Sequence, residues 1–293
     1  MTRRFALLVN PVAAGGRVLK RLPAVQAELK RLGAPHHVVR TRDIDHAAEA
    51  ASAAVKAGET VAALGGDGFV RPIAGEVAGG PGALAILPGG RGNDFARVLG
   101  IPAEPEAAAR NAVEGDERML DIAEVDGVPY IGIASLGFDS EANRIANEAR
   151  LVRGNLVYLY AALRAVVGWK PATFAITVDG EHRELTGWSV GVGNSQAYGG
   201  GMYAMPQAVL DDGLLDVVAC ARTSKPYFLR RILPAVVKGT HLGDPHITAL
   251  RGAEVRIESD RPFDVYADGD PVGRTPATMR VRRRVLRVIV PAG

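Results

Sequence analysis

Short unbroken apolar runs alternate with longer stretches of helical spacing from Phe5 as far as Pro88. "FALLVN", "HHVVR", "TVAAL" and "ALAIL" are of the first kind, and "HAAEAASAAVKAG" is of the second. Runs bounded by turn residues predict strands, and the three-to-four-residue spacing predicts helices that cover them. Strand and helix in alternation imply a parallel sheet covered on both faces. A further helix is expected after Pro72, with that proline in its first turn, where a missing N–H costs nothing.

Near Leu120 the pattern changes to strand after strand, with hairpin signals at Asp179-Gly180 and Asp268-Gly269. That is the pattern of an antiparallel, mostly β unit. Two helices stand out within it, "NLVYLYAALRAVVGW" and "KPYFLRRILPAVVKG". The second carries Phe228, Leu229, Ile232, Leu233, Val236 and Val237 on one stripe, with Arg230, Arg231 and Lys238 off it. Such a stripe either covers a sheet or lies in a membrane interface. The expected fold class is α/β in two domains. An N-terminal three-layer α/β domain spans 1–122 and is completed by a returning strand in 280–293, and an antiparallel, mostly β domain spans 123–279.

At 293 residues the chain is long enough for two cores. The single cysteine, Cys220, excludes an intrachain disulfide and a cysteine-based zinc site. The N-terminal apolar run is too short for a signal peptide, so a cytoplasmic location is expected. No run approaches the roughly 18 to 20 apolar residues that span a bilayer, so membrane contact would be peripheral. A net charge of +3 is mild, and no nucleic-acid partner is expected from it. The basic clusters near the C-terminus either meet an anionic surface or solvate exposed faces. His36 and His37 are adjacent on a strand and point to opposite faces, so they offer no metal-ligand pair.

Three of the N-terminal strands end in turns rich in glycine or asparagine: "VNPVAAGG", "LGGDGF" and "LPGGRGNDFAR". In a parallel sheet these ends share one edge, where bare backbone N–H groups and helix N-termini attract phosphate. One such turn is ordinary positive-φ chemistry, but three together argue for a nucleotide. Neither the Walker spacing nor the dinucleotide G-x-G-x-x-G follows a strand, so the cradle is of another kind.

"LVNPVAAGG", "LGGDGF", "LPGGRGNDFAR", "SLGFDSEAN", "YGGGMYAMPQAVLDDGLLDV" and "ADGD" follow one another in the order found in the diacylglycerol kinase catalytic-domain family. The chain resembles that family, which includes bacterial lipid kinases and sphingosine kinases, over nearly its whole length. The resemblance implies an ATP-binding α/β domain, a β-sandwich domain, an active site between them, and transfer of a phosphoryl group from ATP to a lipid hydroxyl with Mg2+. NAD kinases share the glycine-aspartate element but not the C-terminal motifs.

Carried over by position, the resemblance makes Asn10, Pro11, Val12, Ala13, Ala14, Thr41, Gly66, Asp67, Gly68, Phe69, Val70, Arg71, Pro72 and Arg91 the ATP contacts. It gives Asp67 and Asp121 to the catalytic network, and magnesium between Asp67 and the phosphates would explain a carboxylate there. An aspartate at a strand end that accepts backbone bonds is the other reading of Asp121. Asp212, with the carbonyls of Val209 and Leu214, resembles a structural magnesium site, although the same stretch reads as a β-turn. Asp270 stands in the place of the family's glutamate as general base, one methylene shorter.

The chain departs from the pattern at Phe69, Arg71, Pro72 and Arg91. A phenylalanine cannot donate to phosphate, and its ring is expected to fill part of the nucleotide space, whereas guanidinium groups bind phosphate strongly. An active lipid kinase is the first reading, and a member that only binds an anion or lipid is the alternative. The implied partner is a lipid substrate at a membrane surface, diacylglycerol foremost, and a homodimer stays open.

Overall fold

The computed structural model describes residues 3–148 and 156–293 and forms two compact units, Met1–Ile122 with Arg283–Gly293, and Ala123–Arg282. In the first unit β1 (Phe5–Val9), α1 (Arg17–Arg31), β2 (His36–Arg40), α2 (Ile44–Lys56), β3 (Thr60–Gly65), α3 (Asp67–Val77), β4 (Leu84–Pro88), α4 (Asp94–Val98) and α5 (Pro105–Glu114) follow in order. Every position of β1, β3 and β4 is buried, as the unbroken apolar runs require of strands covered on both faces. The parallel order is β4-β3-β1-β2. The chain therefore steps to one side of β1 for β2 and to the other for β3, which opens a crevice at the carboxyl ends of β1 and β3. Asp43 caps α2 by accepting the His46 N–H at 2.8 Å.

The helix expected after Pro72 instead begins at Asp67, directly behind the glycines, and Pro72 lies in its interior. Without an N–H at Pro72 the carbonyl of Gly68, four residues earlier, has no intrahelical donor. The first turn of α3 is thus built from Asp67, Gly68 and Phe69.

In the second unit β5 (Asp116–Val125) arrives from the first, and β6 (Val128–Tyr130), β7 (Ile133–Gly137), α6 (Phe138–Glu148), α7 (Leu156–Gly168), β8 (Ala172–Val178), β9 (Glu181–Gly193) and β10 (Leu215–Ala221) follow. Asn155, where the sequence pattern starts the helix that becomes α7, lies outside the described residues. A helical stretch over 225–238 is π-helical at Phe228–Ile232. Pro234 has no N–H with which to close the turn on Arg230, and the widened turn precedes it. The strands β11 (Ile247–Gly252), β12 (Glu254–Ser259), β13 (Asp264–Ala267), β14 (Asp270–Arg274) and β15 (Ala277–Val290) complete the chain. The pairings are antiparallel, in the order β14-β13-β7-β9-β8-β12-β15, with β10 between β9 and β11. Asp126-Gly127, Asp179-Gly180 and Asp268-Gly269 all hold positive φ at both residues, the hairpin geometry that Asp-Gly favours. The end of β15 belongs to the first unit, where Val288 pairs in parallel with Leu84.

Candidate functional site

In the first unit the three predicted turns lie along one sheet edge. Asn10 N–H donates to the Leu64 carbonyl at 3.4 Å, and Thr41 donates both N–H and hydroxyl to the Val9 carbonyl, at 3.0 and 3.2 Å. After Asn10, whose side chain accepts the Val12 N–H at 3.2 Å, the chain winds through Pro11 and Val12 into a single 3-10 turn, Ala13–Gly16. Gly15 and Gly16 both take positive φ there.

The turns after β3 and β4 touch backbone to backbone. Gly89 N–H donates to the Gly65 carbonyl at 2.7 Å, and a Cβ built on Gly90 would lie 2.5 Å from the Gly66 Cα. Only glycine permits that approach. Gly66 caps α3, and the Asp67 carboxylate accepts the N–H groups of Asp94 and Phe95 at 3.1 and 3.2 Å. Burial and the neighbouring Asp94 carboxylate push the Asp67 pKa up, and the backbone donors hold it back. Asp94, buried and paired with Arg97, is a member of this cluster that sequence reasoning missed; its signal was an acidic residue opening a helix behind a glycine turn.

Phe69 is buried, with its ring packed against Gly65, where a Cβ would meet the ring at 2.4 Å. This corrects the expectation that the ring fills nucleotide space, because a helical side chain leans back over the preceding turn. Val70 is buried behind it, while Gly68, Arg71 and Pro72 are half-buried. Arg91 is exposed at the tip of the turn after β4. Asp121 lies within β5 rather than at a strand end; it is buried and accepts the Arg284 backbone N–H at 2.6 Å.

In the second unit Asp270 opens β14 opposite Ala267, directly after the Asp268-Gly269 turn. That turn is held from two sides. The Asp268 carboxylate accepts the N–H groups of Ile131 and Gly132, both at 2.9 Å, and Asn147 donates to the Gly269 carbonyl at 3.0 Å. Asp212 accepts the Leu214 N–H at 3.0 Å and pairs with Arg251, which also reaches Asp216 at 3.3 Å. Val209 is exposed just before that turn. A guanidinium already answers the Asp212 charge, so the donor set fits a structural cation poorly. Among the described residues no three His, Cys, Asp or Glu side chains cluster to hold a metal ion.

The same unit encloses a mostly apolar cavity of about 360 Å³ between α6, α7, the 225–238 helix and the β-sheet. Phe138, Ile232, Leu233 and Met205 are among its walls, and Asp139, Ser189 and Tyr198 supply polar groups. Burial pushes the Asp139 carboxyl up to about 6, with a Ser189 hydrogen bond opposing the shift. Burial and Asp139 together raise the Tyr198 phenol, and burial takes the Cys220 thiol to about 12. The apolar stripe of 225–238 packs inward: Phe228 stacks on Trp188 with centroids 4.0 Å apart and planes 7° off parallel. Val237 alone of the stripe is exposed. Sequence reasoning gave Asp139 no role; its signal was an acidic residue directly after Phe138 at a strand-to-helix junction.

Residues 4–125 match the model of the diacylglycerol kinase catalytic domain, and residues 132–290 match the YegS C-terminal NAD kinase beta sandwich-like domain. A diacylglycerol kinase of Mycobacterium tuberculosis is 32% identical over 98% of this chain and 95% of its own. The chain belongs to the diacylglycerol/lipid kinase family. Within it, a probable YegS-like lipid kinase of Pseudomonas aeruginosa is also 32% identical, over 99% of this chain and 95% of its own. A crystal structure of a putative diacylglycerol kinase from Bacillus anthracis shares the fold, with TM-score 0.79 at 24% identity over 99% of this chain and 97% of that one. The family members thus share an N-terminal α/β domain and a C-terminal β-sandwich-like domain. Among the described residues no helix is long and apolar enough to cross a membrane.

Proposed function

We propose that this chain transfers the γ-phosphoryl group of ATP to a lipid hydroxyl, with diacylglycerol as acceptor and phosphatidic acid as product. The observation that carries this reading is the apolar cavity of the second unit, in a chain whose first unit matches a kinase catalytic domain. Clefts of this size and lining suit an acyl chain better than a polar metabolite.

In this reading the backbone donors of the Asn10–Gly16 and Gly66–Phe69 turns hold the phosphates, and Arg91 adds a guanidinium. Thr41 lines the same edge, and Arg71 and Pro72 continue the first turns of α3. Asp94 is already answered by Arg97, so Asp67, whose charge burial and the neighbouring Asp94 make costly, is the carboxylate that would meet a divalent cation. Magnesium bound there with ATP would neutralise the charge that builds on the phosphate oxygens. Asp270 removes the proton from the attacking hydroxyl. Asp121 fixes the backbone at Arg284 and supports the first unit. The acceptor carries the chain to a membrane surface, as a peripheral contact.

The relatives that match over the whole chain carry kinase names, which does not favour a member that only binds an anion or lipid. The test is transfer of labelled phosphoryl from ATP to dioleoylglycerol in uncharged mixed micelles, with sphingosine and a monoacylglycerol as comparators. Labelled phosphatidic acid is expected; labelling of a comparator alone overturns the choice of acceptor, and no labelling of any overturns the reaction.

A further inference from the structure

The 225–238 helix has two different faces. Inward, Ile232, Leu233, Val236 and Val237 line the cavity. Outward, Arg230, Arg231, Pro234, Lys238 and Thr240 line a separate groove of about 500 Å³, and His241 borders both spaces. All three cations of the groove are exposed.

The groove is unbalanced in charge. Its one carboxylate, Asp244, already accepts the Tyr227 hydroxyl at 2.8 Å and the His246 N–H at 3.0 Å. Arg231 lies beside the Tyr227 hydroxyl. Among the described residues neither Arg230 nor Lys238 has an ion-pair partner, although most arginines near this sheet do. Arg230 and Lys238 are eight residues apart, about 12 Å along the axis at helical rise, with Pro234 between them on the same face. Three cations along that length span a row of phosphate groups rather than one small anion.

Val237 and Lys238 join the two faces. Val237 lines the cavity and is exposed, so the cavity has an apolar lip there, and the next residue is a cation of the groove. An exposed apolar residue beside cations on a helix is the arrangement that lies at the boundary of headgroups and acyl chains.

We propose that this groove is a docking site for the phosphate headgroups of an anionic phospholipid membrane, which brings the cavity lip at Val237 to the bilayer surface. The site is distinct from the phosphate turns of the first unit, and it rests on the reading that the cavity takes an acyl chain. Docking through it loads the cavity from a charged bilayer.

The test is sedimentation of the full chain with vesicles of phosphatidylcholine alone or with 30 mol% phosphatidylglycerol, about the level at which anionic lipid attracts basic segments. No ATP is present, so binding is read apart from catalysis. Wild type is expected to bind only the anionic vesicles, more weakly at high salt. The triple variant Arg230→Gln, Arg231→Gln, Lys238→Gln is expected to lose partitioning on the order of a hundredfold. Its transfer rate in uncharged micelles should stay at the wild-type level, which separates failure of docking from failure of the kinase reading. Arg256→Gln, an exposed cation outside the groove, serves as the control for general charge. Equal losses in the control, unchanged binding in the triple variant, or displacement from vesicles by millimolar inorganic phosphate each overturn a headgroup site. If the triple variant fails to fold, Val237→Asp with the cations intact is the second variant. It should weaken binding at the lip, and unaltered partitioning counts against the proposal.

Discussion

Asp67 and Asp94 are tied together across two glycine turns, with the carboxylate of the first accepting the backbone N–H of the second at 3.1 Å. The bond closes the end of β3 onto the start of α4, and Gly66 and Gly90 allow it by letting the two backbones meet. The carboxylate therefore has a structural task before any ligand arrives. It also keeps acceptor capacity, because two oxygens offer about four lone-pair sites and the backbone N–H groups do not use all of them.

Asp67→Asn tests both tasks. An amide has one acceptor oxygen, so the N–H of Asp94 or of Phe95 loses its partner, at about 1–2 kcal/mol of stability. Loss of a charged ligand should also lower turnover on the order of a hundredfold with a raised requirement for magnesium. Denaturant midpoints and a magnesium titration of transfer check the two effects; unchanged magnesium dependence removes Asp67 from the cation site.

Phe69→Thr puts a hydroxyl in the first turn of α3, where a donor to phosphate would tighten ATP binding. The structure argues for a cost instead. Phe69 is buried against Gly65, and cutting its ring away should destabilise the first unit by about 2–4 kcal/mol. Calorimetry of ATP binding beside thermal unfolding distinguishes the outcomes.

Asp139→Asn should change stability with pH in an unusual direction. The folded carboxyl titrates near 6, above an unfolded value near 4, so the folded state binds the extra proton between them. Stability from this group is fully present below about pH 4 and is lost as pH rises through about 6. The variant should match wild type at pH 4 and exceed it at pH 8, by up to about 3 kcal/mol. Urea unfolding at the two pH values decides; a gain that is the same at both would sink the assignment.

Asp270→Asn should abolish phosphoryl transfer while leaving ATP affinity nearly intact. The hairpin that carries it is anchored through Asp268 and Gly269, so the substitution leaves the backbone in place. Near-normal turnover takes Asp270 out of the role of base.

Chelation should separate two kinds of magnesium. EDTA is expected to stop transfer with little change in thermal midpoint, because Arg251 answers the charge of Asp212. A midpoint that falls on chelation and recovers with magnesium returns a structural cation to that turn.

Legibility followed sequence distance. The turns at Asn10–Gly16, Gly65–Phe69 and Gly89–Asn93 were readable because strand, glycine and helix start lie within a few residues of one another. The start of α3 was misread because Pro72 signals a helix beginning, whereas the N–H groups of Phe69 and Val70 already bond back to the Gly66 carbonyl, so the helix is under way at Asp67.

Sequence alone determined the alternation of elements, the Asp-Gly hairpins, the change to antiparallel strands and the family, since each rests on local geometry or an ordered set of motifs. Tertiary structure decided which way side chains were used. Phe69 turned inward, Asp94 came to Asp67 from 27 residues away, and Asp139 was enclosed by walls drawn from α6, α7, β7, β9, β10 and the 225–238 helix. Burial and charge proximity depend on packing between distant segments, and no local pattern encodes them.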